Sequence, residues 1–129
     1  MITREKQYVV DTGFLLATNT SNQISTAHSL EILVYNELIY RGYDVKIGKT
    51  YKGEIDFVVM KDNAKCFMQV AYYLLDEKVI RREFDAFNCI RDASPKFVLS
   101  LDKLDMSKDG IKHINIEDFL LHKADIYLT

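Results

Sequence analysis

Residues 53–72 read GEIDFVVMKDNAKCFMQVAY. Two runs of mostly apolar residues flank the polar segment KDNAK, the pattern of two β-strands joined by a tight turn. In the first run Ile55, Phe57 and Val59 alternate with Asp56, Val58 and Met60. Successive strand side chains point to opposite faces, so this strand is expected to be apolar on both. Such a strand belongs in the middle of a sheet with cover on each side. Asp56 then sits among hydrophobic neighbours, where a carboxylate is costly without a partner. In the second run Phe67, Gln69 and Ala71 share a face, which allows Gln69 to stand beside Asp56 across the ladder. Acidic residues on adjoining strands can hold a magnesium ion for cutting a phosphodiester. Asp56, with Glu54 nearer the strand end, raises that question here.

Working outward, the stretch before the hairpin predicts a helix over residues 25–41, with Ser25 or Thr26 as cap and Arg41-Gly42 as its stop. A short alternating strand, YDVKIG, follows it. Beyond the hairpin, DEKVIRREFDAFNCI is a helix capped by Asp76, with Val79, Ile80, Phe84, Phe87 and Ile90 on one side. It ends before Ser94-Pro95, because the residue before a proline is pushed out of helix. KFVLSLD reads as a strand buried on both faces, MSKDG as a turn, IKHINI as a further strand and EDFLLHKA as a closing helix. Three strands in succession imply an antiparallel meander, and the strand–helix–strand after them implies a parallel crossover. The expected fold class is α/β, a mixed central β-sheet flanked by helices on both faces.

The chain has 129 residues, 48% hydrophobic and 28% charged, enough for one domain with a real core. Its net charge of -2 excludes a wholly basic nucleic-acid binder, so any such contact must come from a local patch. Cys66 and Cys89 stand alone among apolar residues, which reads as buried free thiols in a reducing cytoplasm. No apolar run approaches the ~18 residues of a membrane span, and the start lacks a signal peptide's apolar stretch. The expectation is a cytoplasmic protein with no membrane partner. Residues 1–24 combine an apolar run, QYVVDTGFLLA, with the loop-like NTSNQIS, and read as a lead-in to a domain spanning 25–129.

On a helical wheel Ala27, Leu30, Val34 and Leu38 make one apolar arc, extended by Ile32, Tyr35 and Ile39, with Glu31 near its middle. Asn36 and Glu37 fall on the polar side. A carboxylate inside an apolar arc must be protonated, paired or metal-bound. The simpler reading pairs Glu31 with a cation or places it where the arc meets water. His28 lies one turn from Glu31, and a lone histidine near a helix start is more often structural.

These residues, in this order, resemble the PD-(D/E)xK superfamily, the restriction-endonuclease-like fold. There a helix glutamate, a strand aspartate and an E-x-K on the next strand surround a metal. The matching positions are Glu31 in HSLEILVYNELIYRGYDV, Asp56 in GEIDFVV and Gln69-Val70-Ala71 in MQVAY. The chain is also similar, over nearly its whole length, to a C-terminal domain of unknown function on prokaryotic AAA+-type ATPases. That likeness runs through QYVVDTG, EIDFV, QVAY, KFVLSLD and GIKHINIEDFL.

The resemblance implies candidate catalytic residues Glu31, Asp56 and Gln69, and candidate Mg²⁺ ligands Glu31, Asp56 and the Val70 carbonyl. It implies an upstream ATPase module as partner, with residues 1–24 leading in from it. It also implies a degenerate site, since Gln69 offers only a neutral oxygen and Ala71 stands where a lysine would act. Losing such a preorganised charge commonly costs about a hundredfold in rate. The expected function is a nuclease-like binding and regulatory domain with little or no cleavage. The alternatives are a Mg²⁺-dependent DNA endonuclease using Glu31 and Asp56 with a displaced cation, and a pure protein-interaction domain.

Lys46, Lys49, Lys52, Lys78, Arg81 and Arg82 are the candidate phosphate contacts, although any one of them is by itself an ordinary solvated charge. Tyr72 and Tyr73 could stack on bases or simply pack. RGYDVKIGKT mimics a phosphate-binding loop but has the wrong glycine spacing and follows a helix, so ATP binding by this chain is not expected. Apolar surface facing a missing ATPase module would favour a homodimer.

Overall fold

The computed structural model describes residues 2–5, 23–51 and 53–129, with side chains for 26–51 and 53–129. Among the described residues six strands form one mixed sheet in the order β1-β2-β3-β4-β5-β6. They are β1 (Ile2–Glu5), β2 (Asp44–Thr50), β3 (Gly53–Lys61), β4 (Ala64–Val70), β5 (Lys96–Ser100) and β6 (Lys112–Asn115). The helices among the described residues are α1 (Gln23–Tyr40), α2 (Glu77–Asp85) and α3 (Ile116–Leu120), and a 3-10 turn, Ala86–Cys89, follows α2. Strands β1 to β4 pair antiparallel in sequence order, while β4–β5 and β5–β6 are parallel. The meander and the α2 crossover match the alternation read in the sequence.

The β3–β4 turn is two residues, Asp62 and Asn63, both at positive φ. That conformation suits the right-handed twist of the strands it joins, and Asp and Asn tolerate it better than other non-glycine residues. Strands β3, β4 and β5 have cover on both sides, as their near-continuous apolar sequences require. On one face Val34, Tyr35 and Leu38 of α1 and Ile116 and Phe119 of α3 pack on Val45, Phe57, Val59, Met68, Val70 and Leu99. On the other, Phe84 of α2 and Phe87 of the 3-10 turn pack on Ile55, Val58, Phe67, Ala71 and Val98. Arg41 locks α1 to α3. Its Nε donates to Glu37 Oε2 at 2.6 Å, its Nη2 to the Phe119 carbonyl at 2.7 Å, and its Nη1 to Asp125 at 3.1 Å.

Several expectations are corrected. Ile55 and Phe57 lie on opposite faces instead of sharing one. The β2–β3 register shifts between Lys46↔Val58 and Gly48↔Ile55, so Ile47 opposes two residues, Asp56 and Phe57. That is a β-bulge, which flips the pleat and re-aims a side chain. Ile39, expected in the α1 arc, is 44% exposed. α2 stops at Asp85 and tightens into the 3-10 turn, and α3 is a five-residue helix ending before Leu121, with His122 at φ 61. The apolar run and loop over 6–22 lie outside the described residues, whereas β1, within the stretch read as a lead-in, pairs with β2 in the same sheet. The stretch 41–50 forms a turn and β2, not the strand–loop–helix that a phosphate loop needs.

Candidate functional site

The site lies at the end of the sheet where β3 begins and β4 finishes. The β3–β4 ladder runs only to Phe57↔Met68. Beyond that pair the side chains take over. The Asp56 N–H donates to Gln69 Oε1 at 2.6 Å, and the Val70 N–H donates to Asp56 Oδ2 at 2.9 Å. Each strand thus satisfies a backbone donor of the other through a side chain, beyond the last regular pair.

An open cleft of about 460 Å³ sits over this clamp. Glu31 of α1, Glu54 and Asp56 of β3, Gln69 and Val70 of β4, and Arg82, Glu83 and Asp85 of α2 line it. The fold therefore gathers Glu31, Asp56, Gln69, Val70 and Arg82 from four separate elements. Gln69 is buried, 7% exposed, and its Nε2 points at Glu83 Oε2 across 3.5 Å. Ala71, 5% exposed, packs in the α2-side core.

Glu83 is a residue that the sequence reading missed. Its signal was present: four residues after Val79 and three after Ile80, it falls within the apolar arc of α2, as Glu31 does in α1. Burial raises its pKa above the ordinary glutamate value, opposed by Arg82, while the charge of Glu31 pushes the same way as burial. Arg82 Nη2 lies 3.4 Å from Glu83 Oε1.

The other candidates are not brought into the cleft. Lys78 and Arg81 stay on the outer, exposed face of α2. Lys49 is salt-bridged to Glu54, and Lys46 is half-buried on β2 opposite Val58. Lys52 lies outside the described residues. Tyr72 and Tyr73 lie past the end of β4 with ring centroids 4.6 Å apart. His28 is exposed on α1. Cys66 is fully buried and its thiol is pushed up to about 12 by burial, while Cys89 is half-buried and donates to the Ala86 carbonyl.

Any magnesium ligands in the cleft would have to come from Glu31 and Asp56, with Gln69 and Val70 beside them. Magnesium takes hard oxygens in near-octahedral geometry. Here Gln69 Oε1 is committed to the Asp56 N–H and Asp56 Oδ2 to the Val70 N–H. Among the described residues no three His, Cys, Asp or Glu side chains are grouped as metal ligands. Among the described residues no helix is long and apolar enough to cross a membrane.

Over 120 residues the chain is 31% identical to a protein of Haemophilus influenzae described as uncharacterized. The match covers 92% of this chain. It spans only 29% of that relative's length. No protein-family model and no solved structure matches the chain.

Proposed function

We propose that this chain is a restriction-endonuclease-like domain whose site has lost cleavage chemistry and serves as a binding and regulatory module within a longer protein of ATPase type. The observation that carries the reading is the side chain at Gln69. It stands where the superfamily has an acidic ligand, and its one oxygen closes the strands onto Asp56. Its neighbour Ala71 is buried where the superfamily has a lysine. The cleft that gathers Glu31, Asp56, Gln69 and Val70 supports descent from a nuclease site. That the matching relative is far longer than the match is consistent with such a domain inside a larger chain.

In this reading the residues of the cleft hold structure and recognise a partner. Asp56 and Gln69 keep β3 and β4 together at the point where they diverge. Glu83, half-buried beside Gln69, has its carboxyl pKa raised by burial, so its charge is disfavoured there. Nucleic acid, if bound, is met by Arg82 at the cleft rim and by Lys78 and Arg81 on the outer face of α2. Salt titration of binding to a short DNA duplex tests this: phosphate contacts release counterions, so affinity must fall steeply with salt. Binding indifferent to salt, or none, favours a protein partner instead.

One observation favours the second reading, a Mg²⁺-dependent endonuclease. Arg82, from the helix after the E-x-K position, lines the same cleft as Glu31 and Asp56, where a displaced cation would have to be. Plasmid nicking with Mg²⁺ or Mn²⁺ that disappears in both Asp56→Ala and Arg82→Ala would establish it.

A further inference from the structure

A second polar cluster lies under residues 101–111, the connection from β5 to β6. Ser100 is fully buried and His113 is 6% exposed. Ser100 Oγ lies 2.7 Å from Asp102 Oδ2 and 2.7 Å from His113 Nε2. A carboxylate only accepts, so the single hydroxyl proton goes to Asp102, and His113 must donate from Nε2. Its Nδ1 accepts the Met106 N–H at 3.2 Å. These partners assign a neutral ring with its proton on Nε2. The arrangement is not a nucleophile and its base, because a base nitrogen facing the hydroxyl would have to be bare. Asp102 Oδ2 also accepts the Leu74 N–H at 2.7 Å, so the relay joins β5, β6, their connection and the lead into α2.

Nδ1 is the one place for a second proton. An imidazolium donates from both nitrogens, so it would meet the Met106 N–H donor to donor. The Leu104 carbonyl lies within reach and favours the charged ring.

We propose that residues 104–108 are a proton-operated latch: protonation of His113 trades the Met106 N–H for the Leu104 carbonyl and frees Met106 from the core beneath α2. Met106 packs against the cluster that holds Phe84 and Phe87. With Asp105, Ser107 and Lys108 it forms one wall of a groove of about 390 Å³, whose other wall is Glu77, Ile80 and Arg81 of α2. Unlatching opens this groove.

Asp102 and Asp105 favour the charged ring, and burial outweighs them, so the latch works on the acid side of the ordinary histidine range. The remaining charges are Lys103, Lys108 and Asp109 on the connection, Lys112 beside His113 on β6, and Glu77 and Arg81 across the groove. The His113 N–H donates to Ser107 Oγ at 2.9 Å, a second tie between β6 and the same segment that does not involve the ring.

The test is NMR on the intact chain between pH 7.5 and 5, following the ring nitrogens of His113 and amide exchange together. The expected result is an Nε2–H tautomer at pH 7.5, then Met106 protection falling by about tenfold per pH unit as the ring titrates, with Val98 and Leu99 still protected. An Nδ1–H tautomer at pH 7.5 overturns the latch. So does Met106 protection that holds through the ring titration, or loss at Val98 and Leu99 with the same midpoint, which is global unfolding.

Discussion

The backbone of Asp56 is held by the side chain of Gln69: the Asp56 N–H donates to Gln69 Oε1 at 2.6 Å. One step along the other strand the debt is returned, with the Val70 N–H on Asp56 Oδ2 at 2.9 Å. This exchange occurs just past Phe57↔Met68, the last pair of the β3–β4 ladder, beside the bulge between β2 and β3. An acidic ligand and a metal would occupy the same ground. In this chain an amide does the structural part alone.

Replacing Gln69 by Leu leaves the part-buried Asp56 N–H without its acceptor. Such a loss typically costs about 1–3 kcal/mol. The midpoint of urea unfolding should fall accordingly, with an unchanged slope. A midpoint equal to wild type would mean that the clamp contributes nothing.

Glu83 has its pKa raised by burial. A carboxyl whose folded value lies above its unfolded value of 4.5 adds stability that is complete below 4.5 and lost as pH rises through the folded value. At neutral pH the ionised form is therefore a burden, and Glu83→Gln should unfold at higher urea than wild type at pH 7. That advantage should vanish below pH 4.5. A variant less stable at pH 7 contradicts the assignment.

The two thiols differ sharply in access. Cys66 is fully buried with its thiol pushed up to about 12, and Cys89 is half-buried. The thiolate is the reactive form, so the folded protein should consume no more than one equivalent of a disulfide reagent, and Cys66→Ser should leave that uptake unchanged. Rapid loss of both thiols without denaturant would show that the β4 core opens readily.

Arg41 makes three side-chain hydrogen bonds and sits 4.3 Å over the Phe119 ring. Lysine keeps the charge but not the planar fork. Arg41→Lys should cost about 1–3 kcal/mol of stability, read by chemical denaturation.

Much of this was legible in the residues themselves. The alternation around KDNAK predicted the hairpin, and the shared face allowed Gln69 to stand beside Asp56. Glu31 in an apolar arc marked the helix side of the cleft. The bulge was not legible, because one extra residue changes which face Ile55 takes while leaving the local composition ordinary. β1, with the sequence ITRE, carries no apolar alternation and exists through pairing with β2. Glu83 was legible in the same way as Glu31, since it falls within the apolar arc of its helix.

The most direct test of the central claim is calorimetric titration of Mg²⁺ into wild type and Gln69→Glu. Glutamate keeps an acceptor for the Asp56 N–H and restores a charged oxygen beside Glu31 and Asp56. The account predicts no saturable binding at millimolar Mg²⁺ in wild type, and binding in Gln69→Glu that is abolished by adding Asp56→Ala. Saturable binding by wild type, lost in Asp56→Ala and no tighter in Gln69→Glu, would contradict it.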